Sequence, residues 1–190
     1  PKGNTRQFSI AASPTEDSIL IATRQTNSIF KQKMAALKPG SLIDARGPYG
    51  SFTLIESKPA IMLSGGIGIT PLRSMMKYST DKKLTTKIIL FYSNRMPEEI
   101  AFKKDLDSME KKNKNLKVIH TITNLQDSKQ PWKGLTGFID DKMIKANATD
   151  IKKSIFYICG PPAMVDAMAN LLKTMKIDEA NIRIEHFTGY

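Results

Sequence analysis

SGGIGITP, residues 64–71, indicates the fold more clearly than any other segment, because it joins an apolar run to a stretch with helical periodicity. Its three glycines allow the backbone to approach a ligand closely. Thr70 is suited to cap the following helix and Pro71 to begin it, which leaves unpaired N–H groups directed at an anion. Since the spacing is not G-x-G-x-x-G, the segment indicates either a phosphate-binding turn or a tight strand-to-helix turn without a ligand. The three glycines are Gly65, Gly66 and Gly68.

Five apolar runs from residue 60 onward extend this pattern: AIMLSGG, KIILFYS, LKVIHTIT, SIFYICG and IRIEHF. Segments with helical periodicity separate most of them, and such alternation is typical of a parallel sheet. The sequence therefore predicts an α/β fold whose five-stranded parallel sheet has the strand order 3-2-1-4-5 and is flanked by helices.

A second corner, CGPP at residues 159–162, follows the fourth of these runs. Open parallel sheets bind ligands outside the carboxyl ends of their strands, at the point where the strand order reverses. In the predicted order that point lies between the first and fourth strands. The two glycine-containing corners should therefore face each other across a crevice large enough for a dinucleotide. From the second corner we expect Cys159, Gly160 and Pro161 at the site.

Cys159 is the only cysteine, so the chain can form no internal disulfide and no iron–sulfur site from its own thiolates. We expect no metal site. At the end of its strand, the thiol is expected at the mouth of the site rather than inside the core. It could act as a nucleophile if a base or helix terminus lowered its pKa, but nothing in the sequence brings His120 or His186 beside it. A passive contact with a bound ring, or simple packing, is the favoured interpretation.

Residues 1–57 follow a different pattern. RQFSIAAS alternates apolar and polar residues, SILIAT is apolar, and GSLIDARGPYGSFTL contains short apolar runs broken by glycine and proline. Together they predict antiparallel β structure. Between them, NSIFKQKMAALKPG predicts one helix with Asn27 or Ser28 as its N-cap. The change of pattern predicts two domains, residues 1–57 and 58–190.

The chain is strongly basic, with a formal net charge of +11. Such a charge attracts nucleic acid, anionic lipid or an acidic protein. Lysines that alternate with acids at helical spacing, as in AFKKDLDSMEKKNKNLK, are typical of solvated helix faces, and we expect no nucleic acid partner. The sequence has no run of about 18 apolar residues and no apolar signal segment, which favours a cytoplasmic protein without a membrane span.

Five short motifs occur in an order that resembles the ferredoxin–NADP reductase family of flavoproteins: RQFS, GPYGSF, GGIGITP, CGPP and EHF. Members of that family join an FAD-binding antiparallel barrel to an NAD(P)-binding parallel α/β domain. The resemblance implies that residues 1–57 are an FAD-binding β-barrel that is incomplete at its N-terminus, because the family strands that precede RQFS are not in this sequence. It implies that residues 58–190 are the NAD(P)-binding domain.

On the FAD side, the resemblance implies that Arg6 pairs with the pyrophosphate and that Phe8, where the family usually has tyrosine, packs on the flavin. Ser9 would form a hydrogen bond near flavin N5. Ser28 would approach the pyrophosphate, or would only cap its helix. Phe187 is favoured over Tyr190 as the ring that covers the flavin face.

On the nicotinamide side, the resemblance implies that the ring enters beside Cys159 and that Glu185 lies close to its path. Ser9, Cys159 and Glu185 are thus the expected catalytic residues. Arg95, after the second strand, can meet a ribose 2′-phosphate, so NADPH is favoured over NADH.

The expected activity is hydride transfer from NAD(P)H to FAD, followed by electron transfer to a separate carrier. An acidic ferredoxin or flavodoxin would suit the basic charge. Two alternatives remain open. The chain could be the reductase component or a subunit of a larger oxygenase or electron-transfer complex, or it could be a non-catalytic nucleotide-binding module with a basic docking surface.

Overall fold

The computed structural model describes residues 5–187, which form a six-stranded parallel sheet with helices on both faces. The strands are β1 (Ala60–Gly65), β2 (Ile88–Asn94), β3 (Leu116–Ile122), β4 (Leu135–Thr136), β5 (Ile155–Gly160) and β6 (Ile182–His186). The helices are α1 (Ile29–Ala35), α2 (Ile69–Asp81), α3 (Lys103–Lys112), α4 (Asp141–Asn147) and α5 (Pro162–Thr174).

The strand order is β4-β3-β2-β1-β5-β6. The five longer strands are the five apolar runs of the sequence, and they lie in the predicted order 3-2-1-4-5. β4 is an additional edge strand that pairs with Thr121 and Ile122 of β3. Its two exposed residues form no apolar run, which is why the sequence did not predict it. The point where the strand order reverses therefore lies between β1 and β5.

Two apolar clusters, one on each face of the sheet, form the core. On one face Leu72 of α2 packs in the cluster that contains Tyr157 of β5. On the other face Val165 of α5 packs in the cluster that contains Phe156. Because both faces are covered, β1 and β5 are buried along their whole length, which explains their continuous apolar sequence. Within residues 5–187 the helices are too short or too polar to span a lipid bilayer.

The antiparallel strands predicted before residue 58 are not formed between residues 5 and 57. The backbone there is mostly extended, with the N–H groups of Ala11 and Ala12 donating to the Leu20 carbonyl oxygen at 2.7 and 3.4 Å. Leu42 and Ile43 are exposed. An extended segment becomes a strand when a paired neighbour and an apolar layer stabilise it. The side chains of Leu42 and Ile43 have no such layer among the described residues.

Candidate functional site

The glycine turn, residues 65–68, connects β1 to α2. Gly66 has a φ of +52°, a left-handed conformation that favours glycine. The Tyr92 hydroxyl donates a hydrogen bond of 2.8 Å to the Gly66 carbonyl oxygen. The turn is therefore held against β2 as well as β1.

The start of α2 differs from the prediction in one respect. Gly68 precedes the helix, and no side chain caps it. The prediction that Thr70 caps the helix is wrong, because Thr70 is the second helical residue and its hydroxyl donates to the Ile67 carbonyl oxygen at 3.3 Å. Pro71 lies in the first turn, where a missing N–H breaks no helical hydrogen bond. A 3₁₀ turn over Gly66–Gly68 continues into α2, and the Ile69 N–H donates to the Gly66 and Ile67 carbonyl oxygens. No side chain caps the start of this turn, so the amides that can bind an anion are those of the glycine turn itself.

The two glycine-containing corners lie on the same edge of the sheet, but they are in direct backbone contact and do not face each other across the predicted crevice. A Cβ atom on Gly68 would lie only 2.6 Å from the Gly160 Cα atom, so only glycine permits this crossing. A Cβ atom on Gly160 would lie 3.2 Å from the Gly65 backbone nitrogen. On Gly65 it would lie 3.3 Å from Cδ of Pro161. The carboxyl ends of β1 and β5 therefore form one continuous backbone surface.

Ser9, Cys159 and Glu185 come together although they lie far apart in the sequence. The Ser9 hydroxyl donates a short hydrogen bond to Oε1 of Glu185. Glu185 on β6 is the register partner of Cys159 on β5. The three residues predicted as catalytic therefore form one group beside the second corner.

The Cys159 side chain is fully buried, so the prediction that its thiol lies at the mouth of the site is wrong. Its side chain belongs to the face of the sheet that α2 covers, in the cluster that contains Tyr157. Burial, and secondarily the Glu185 charge, raises the pKa of the Cys159 thiol. The sulfur is thus protonated at neutral pH. Phe187 packs against the same cluster, whereas Tyr190 lies outside the described residues.

Arg6 and Phe8 both contact the ring of Phe30 on α1. The Arg6 guanidinium lies 5.3 Å from the centre of the Phe30 ring, and Phe8 stacks on that ring at 6.0 Å. Ser28 precedes α1, but its hydroxyl forms no capping hydrogen bond. The structure therefore places Arg6 and Phe8 next to α1. The Ser28 hydroxyl does not cap that helix.

Arg24 lies over the glycine turn, and sequence reasoning did not identify it. A Cβ atom added to Gly66 would lie 3.4 Å from one Nη atom of Arg24. The same guanidinium forms a 2.9 Å ion pair with Glu99. No motif marks this arginine, because its approach to the turn arises from the tertiary fold.

Two polar side chains, Asn94 and Arg95, lie where β2 ends, and a third, His120, lies within β3 as the register partner of Tyr92. Arg95 follows β2 and is exposed, as predicted for a residue that meets a ligand. The Asn94 amide and both ring nitrogens of His120 are buried without a hydrogen-bond partner among the described residues. Burial, and secondarily the Lys103 charge, lowers the pKa of His120 to about 4. Buried polar atoms that lack partners are typical of sites completed by a ligand or water.

A family model described as "Oxidoreductase NAD-binding domain" matches residues 62–170, more than half of the chain. Over 189 residues the chain is 30% identical to a subunit of the Na(+)-translocating NADH-quinone reductase of Idiomarina loihiensis, covering 95% of this chain and 44% of that protein. The chain spans about half the length of the curated relatives it matches.

Two solved structures have the same fold. The flavohem-like FAD/NAD-binding domain of nitric oxide dioxygenase from Vibrio cholerae matches with a TM-score of 0.84 at 17% identity, covering 96% of this chain and 76% of that one. A ferredoxin–NADP+ reductase from Neisseria gonorrhoeae with bound FAD and NADP matches with a TM-score of 0.72 at 21% identity, covering 95% of this chain and 79% of that one. These matches confirm the predicted parallel α/β fold, and together with the family model and the sequence relatives they confirm the resemblance to the ferredoxin–NADP reductase family.

Proposed function

The chain belongs to the family of oxidoreductase NAD-binding domains, and we propose that it transfers a hydride from NADPH to FAD and passes the electrons to a separate carrier. The observation that carries this proposal is the crossing of the glycine turn over the end of β5. It creates a backbone surface with uncapped amide groups at one side and the Ser9–Glu185 pair at the other. Such a surface fits a dinucleotide with its phosphates at the glycine turn and its reacting ring near Ser9.

The residues at the dinucleotide phosphates follow from this orientation. We assign the pyrophosphate to the glycine turn, with Gly65, Gly66, Gly68, Thr70 and Pro71 shaping the backbone into the first turn of α2. Arg24 completes the site, because its guanidinium lies over the glycine turn and can donate paired hydrogen bonds to a phosphate. Gly160 and Pro161 form the adjoining part of the backbone surface.

The adenosine end of the dinucleotide would lie where β2 and β3 end. Arg95 is the candidate partner of a ribose 2′-phosphate, since it is exposed and forms no ion pair with any described residue. Asn94 supplies a buried amide at the end of β2, whereas the His120 ring lies further back in β3 and packs against Tyr92 and Trp132. These features support NADPH over NADH.

FAD would lie against residues 1–57, which we propose as a domain separate from residues 58–190. The Arg6 guanidinium, which lies over Phe30 of α1, is a suitable partner for its pyrophosphate, and Ser28 at the start of the same helix is a second candidate. Phe8 and Phe187 supply aromatic surfaces for the ring system. Bound FAD supplies the hydride acceptor, a chemistry that no amino-acid side chain provides.

The protein groups then orient the reaction. The Ser9 hydroxyl is held by Glu185 and can hydrogen-bond near the flavin atom that receives the hydride. The Cys159 thiol, kept neutral by burial, packs in the core beneath the second corner and so supports the backbone surface on which the nicotinamide would lie. We therefore assign Ser9 and Glu185 to alignment and proton handling, and Cys159 to packing without covalent change.

We propose an acidic electron carrier such as ferredoxin or flavodoxin as the acceptor, since the net charge of +11 would steer it to this protein. A second candidate function is that of a subunit in a larger electron-transfer complex. The similarity to a protein named as a reductase subunit favours it. Electron delivery to a diffusing acidic carrier should slow steeply as salt increases, whereas delivery inside a complex should not.

The proposed function is tested by titrating the purified chain with FAD and with NADP+ and by measuring flavin fluorescence and heats of binding. We expect saturable binding of both, with NADP+ bound more tightly than NAD+. A chain that takes up neither FAD nor NADP+ would contradict the proposal and would favour a protein without flavin chemistry.

A further inference from the structure

Arg73 is a buried arginine outside the residues so far assigned to the site. It lies on α2, one helical turn after the glycine turn, and its side chain is 4% exposed. Its guanidinium forms a pair of hydrogen bonds with the Glu16 carboxylate, one of them 2.9 Å long from Nη2 to Oε1. It also pairs with Asp105 of α3, at 2.6 Å from Nη2, and lies 5.6 Å from the centre of the Phe102 ring.

A guanidinium is costly to bury unless charged partners and hydrogen bonds compensate it. Arg73 meets that requirement with two carboxylates and with the Ala11 carbonyl oxygen, which accepts a hydrogen bond of 3.0 Å from Nη1. The hydrogen bonds from Arg73 lower the pKa of Glu16. Arg73 thus joins three parts of the chain: α2, α3 and the segment of residues 11–16.

That segment is fixed to α2 along its length. Glu16 accepts a 2.7 Å hydrogen bond from the Ser13 backbone N–H. The Ser74 hydroxyl donates to the Ala12 carbonyl oxygen at 2.6 Å. The backbone of residues 11–13 is therefore anchored to the helix that begins at the glycine turn.

Ser9 lies two residues before this anchored segment, and its hydroxyl pairs with Glu185 on β6. The segment of residues 9–16 therefore spans from the second corner to α2, with Arg73 at its buried end. A shift at Arg73 would move Ser9 relative to the glycine turn, since a short extended chain has little slack between the two contacts.

We propose that Arg73 is a positioning residue that sets the place of Ser9 relative to the glycine turn and the second corner. This inference rests on the proposed function, because it concerns the alignment of the same hydride-transfer site. Arg73 is assigned no contact with dinucleotide or flavin. Its removal should slow hydride transfer through misalignment while leaving dinucleotide binding intact.

The test compares Arg73→Met, Arg73→Lys and Glu16→Gln with the unsubstituted chain. Lys145→Met is the control, since it also removes a cation from a pair with an aspartate, in this case Asp141 on the opposite face of the sheet. Deuterium exchange of the backbone amides in residues 9–16 reports the anchoring without any need for flavin. The rate of flavin reduction at saturating NADPH and the affinity for NADP+ report alignment and binding separately.

We expect faster exchange in residues 9–16 for Arg73→Met and Glu16→Gln, and flavin reduction slower by about tenfold to hundredfold, with NADP+ affinity unchanged. Arg73→Lys should restore part of the rate, since an ammonium can pair with one carboxylate but not bridge two. Glu16→Gln keeps the Asp105 and Ala11 contacts and serves as the folded variant if Arg73→Met does not fold.

Exchange in residues 9–16 that matches the Lys145→Met control would overturn the proposal, whether or not flavin binds. Faster exchange with an unchanged reduction rate would also overturn it, because the contact would then be structural only. Absence of flavin reduction in the unsubstituted chain would instead contradict the proposed function.

Discussion

The Ser9 hydroxyl donates a short hydrogen bond to the Glu185 carboxylate across 176 positions of sequence. Glu185 is the strand neighbour of Cys159, whose backbone adjoins the glycine turn. One polar contact therefore joins the N-terminal segment to the carboxyl edge of the parallel sheet. The proposed site depends on this contact, because it brings the hydroxyl to the edge where a dinucleotide would bind.

Ser9→Ala tests that contact. We expect flavin reduction at saturating NADPH to slow about fivefold to tenfold, because one aligned hydrogen bond contributes about 1 kcal/mol. NADP+ affinity should not change. Rapid-mixing absorbance of the flavin measures the rate, with the exposed Ser18→Ala as a control in the same part of the chain. Equal rates in the two variants would remove Ser9 from the reaction.

The buried Cys159 thiol should resist alkylation. Because its pKa is raised, the folded chain should react with iodoacetamide at pH 8 about a hundredfold or more slowly than the urea-unfolded chain. Mass spectrometry gives an unambiguous result, since the chain has one cysteine. Fast alkylation of the folded chain would show that the thiol is accessible, and thiolate chemistry would again be a candidate.

Gly68→Ala should disrupt the crossing of the two corners. Its Cβ atom would overlap the backbone of residues 159–160, which cannot move without displacing β5. We expect the free energy of unfolding to fall by about 1–3 kcal/mol and NADP+ binding to weaken. Urea unfolding and calorimetry measure these effects.

Gly65→Ala is the matched control for Gly68→Ala. The nearest atoms to its Cβ would be Sδ of Met164 at 3.2 Å and Cδ of Pro161 at 3.3 Å, which are side-chain rather than backbone atoms, so we expect a smaller loss of stability than for Gly68→Ala. Similar unfolding free energies for the two variants would show that Gly68 does not lie in close contact with the backbone of residues 159–160.

Arg95→Ala tests the choice of dinucleotide. Loss of a charge-assisted hydrogen bond to a 2′-phosphate should weaken NADP+ binding by about tenfold and leave NAD+ binding unchanged. Isothermal titration with both nucleotides measures this difference. Lys142→Ala, on α4, removes an exposed charge elsewhere and is the control. An equal loss of NADP+ affinity in both variants would show that the net charge of the protein, and not a contact between Arg95 and the 2′-phosphate, sets the affinity.

Local pattern was sufficient to predict the five long strands and the position of both corners at one edge of the sheet. Strand periodicity and glycine-containing turns are encoded within a few neighbouring residues, so β1 with its turn and β5 with its CGPP corner could be identified directly. The Thr70 cap was wrong because α2 begins before that residue, and helix ends are set by small differences in backbone geometry.

The remaining site residues depend on contacts between distant segments. Arg24 reaches the glycine turn, and Arg73 pairs with Glu16, through tertiary packing that no local motif encodes. Cys159 is buried because α2 covers its face of the sheet, whereas local pattern indicates only that it lies at a strand end. The segments before residue 58 alternate like strands but form none among the described residues, where Ala11 and Ala12 are buried while Leu42 and Ile43 stay exposed.

Anaerobic mixing of the FAD-loaded chain with NADPH is the decisive test of hydride transfer at this site, with flavin absorbance in the visible range as the readout. We expect the bound flavin to bleach at a rate that saturates with NADPH concentration, and faster with NADPH than with NADH. Bound flavin that remains oxidised in the presence of saturating NADPH would contradict hydride transfer at this site.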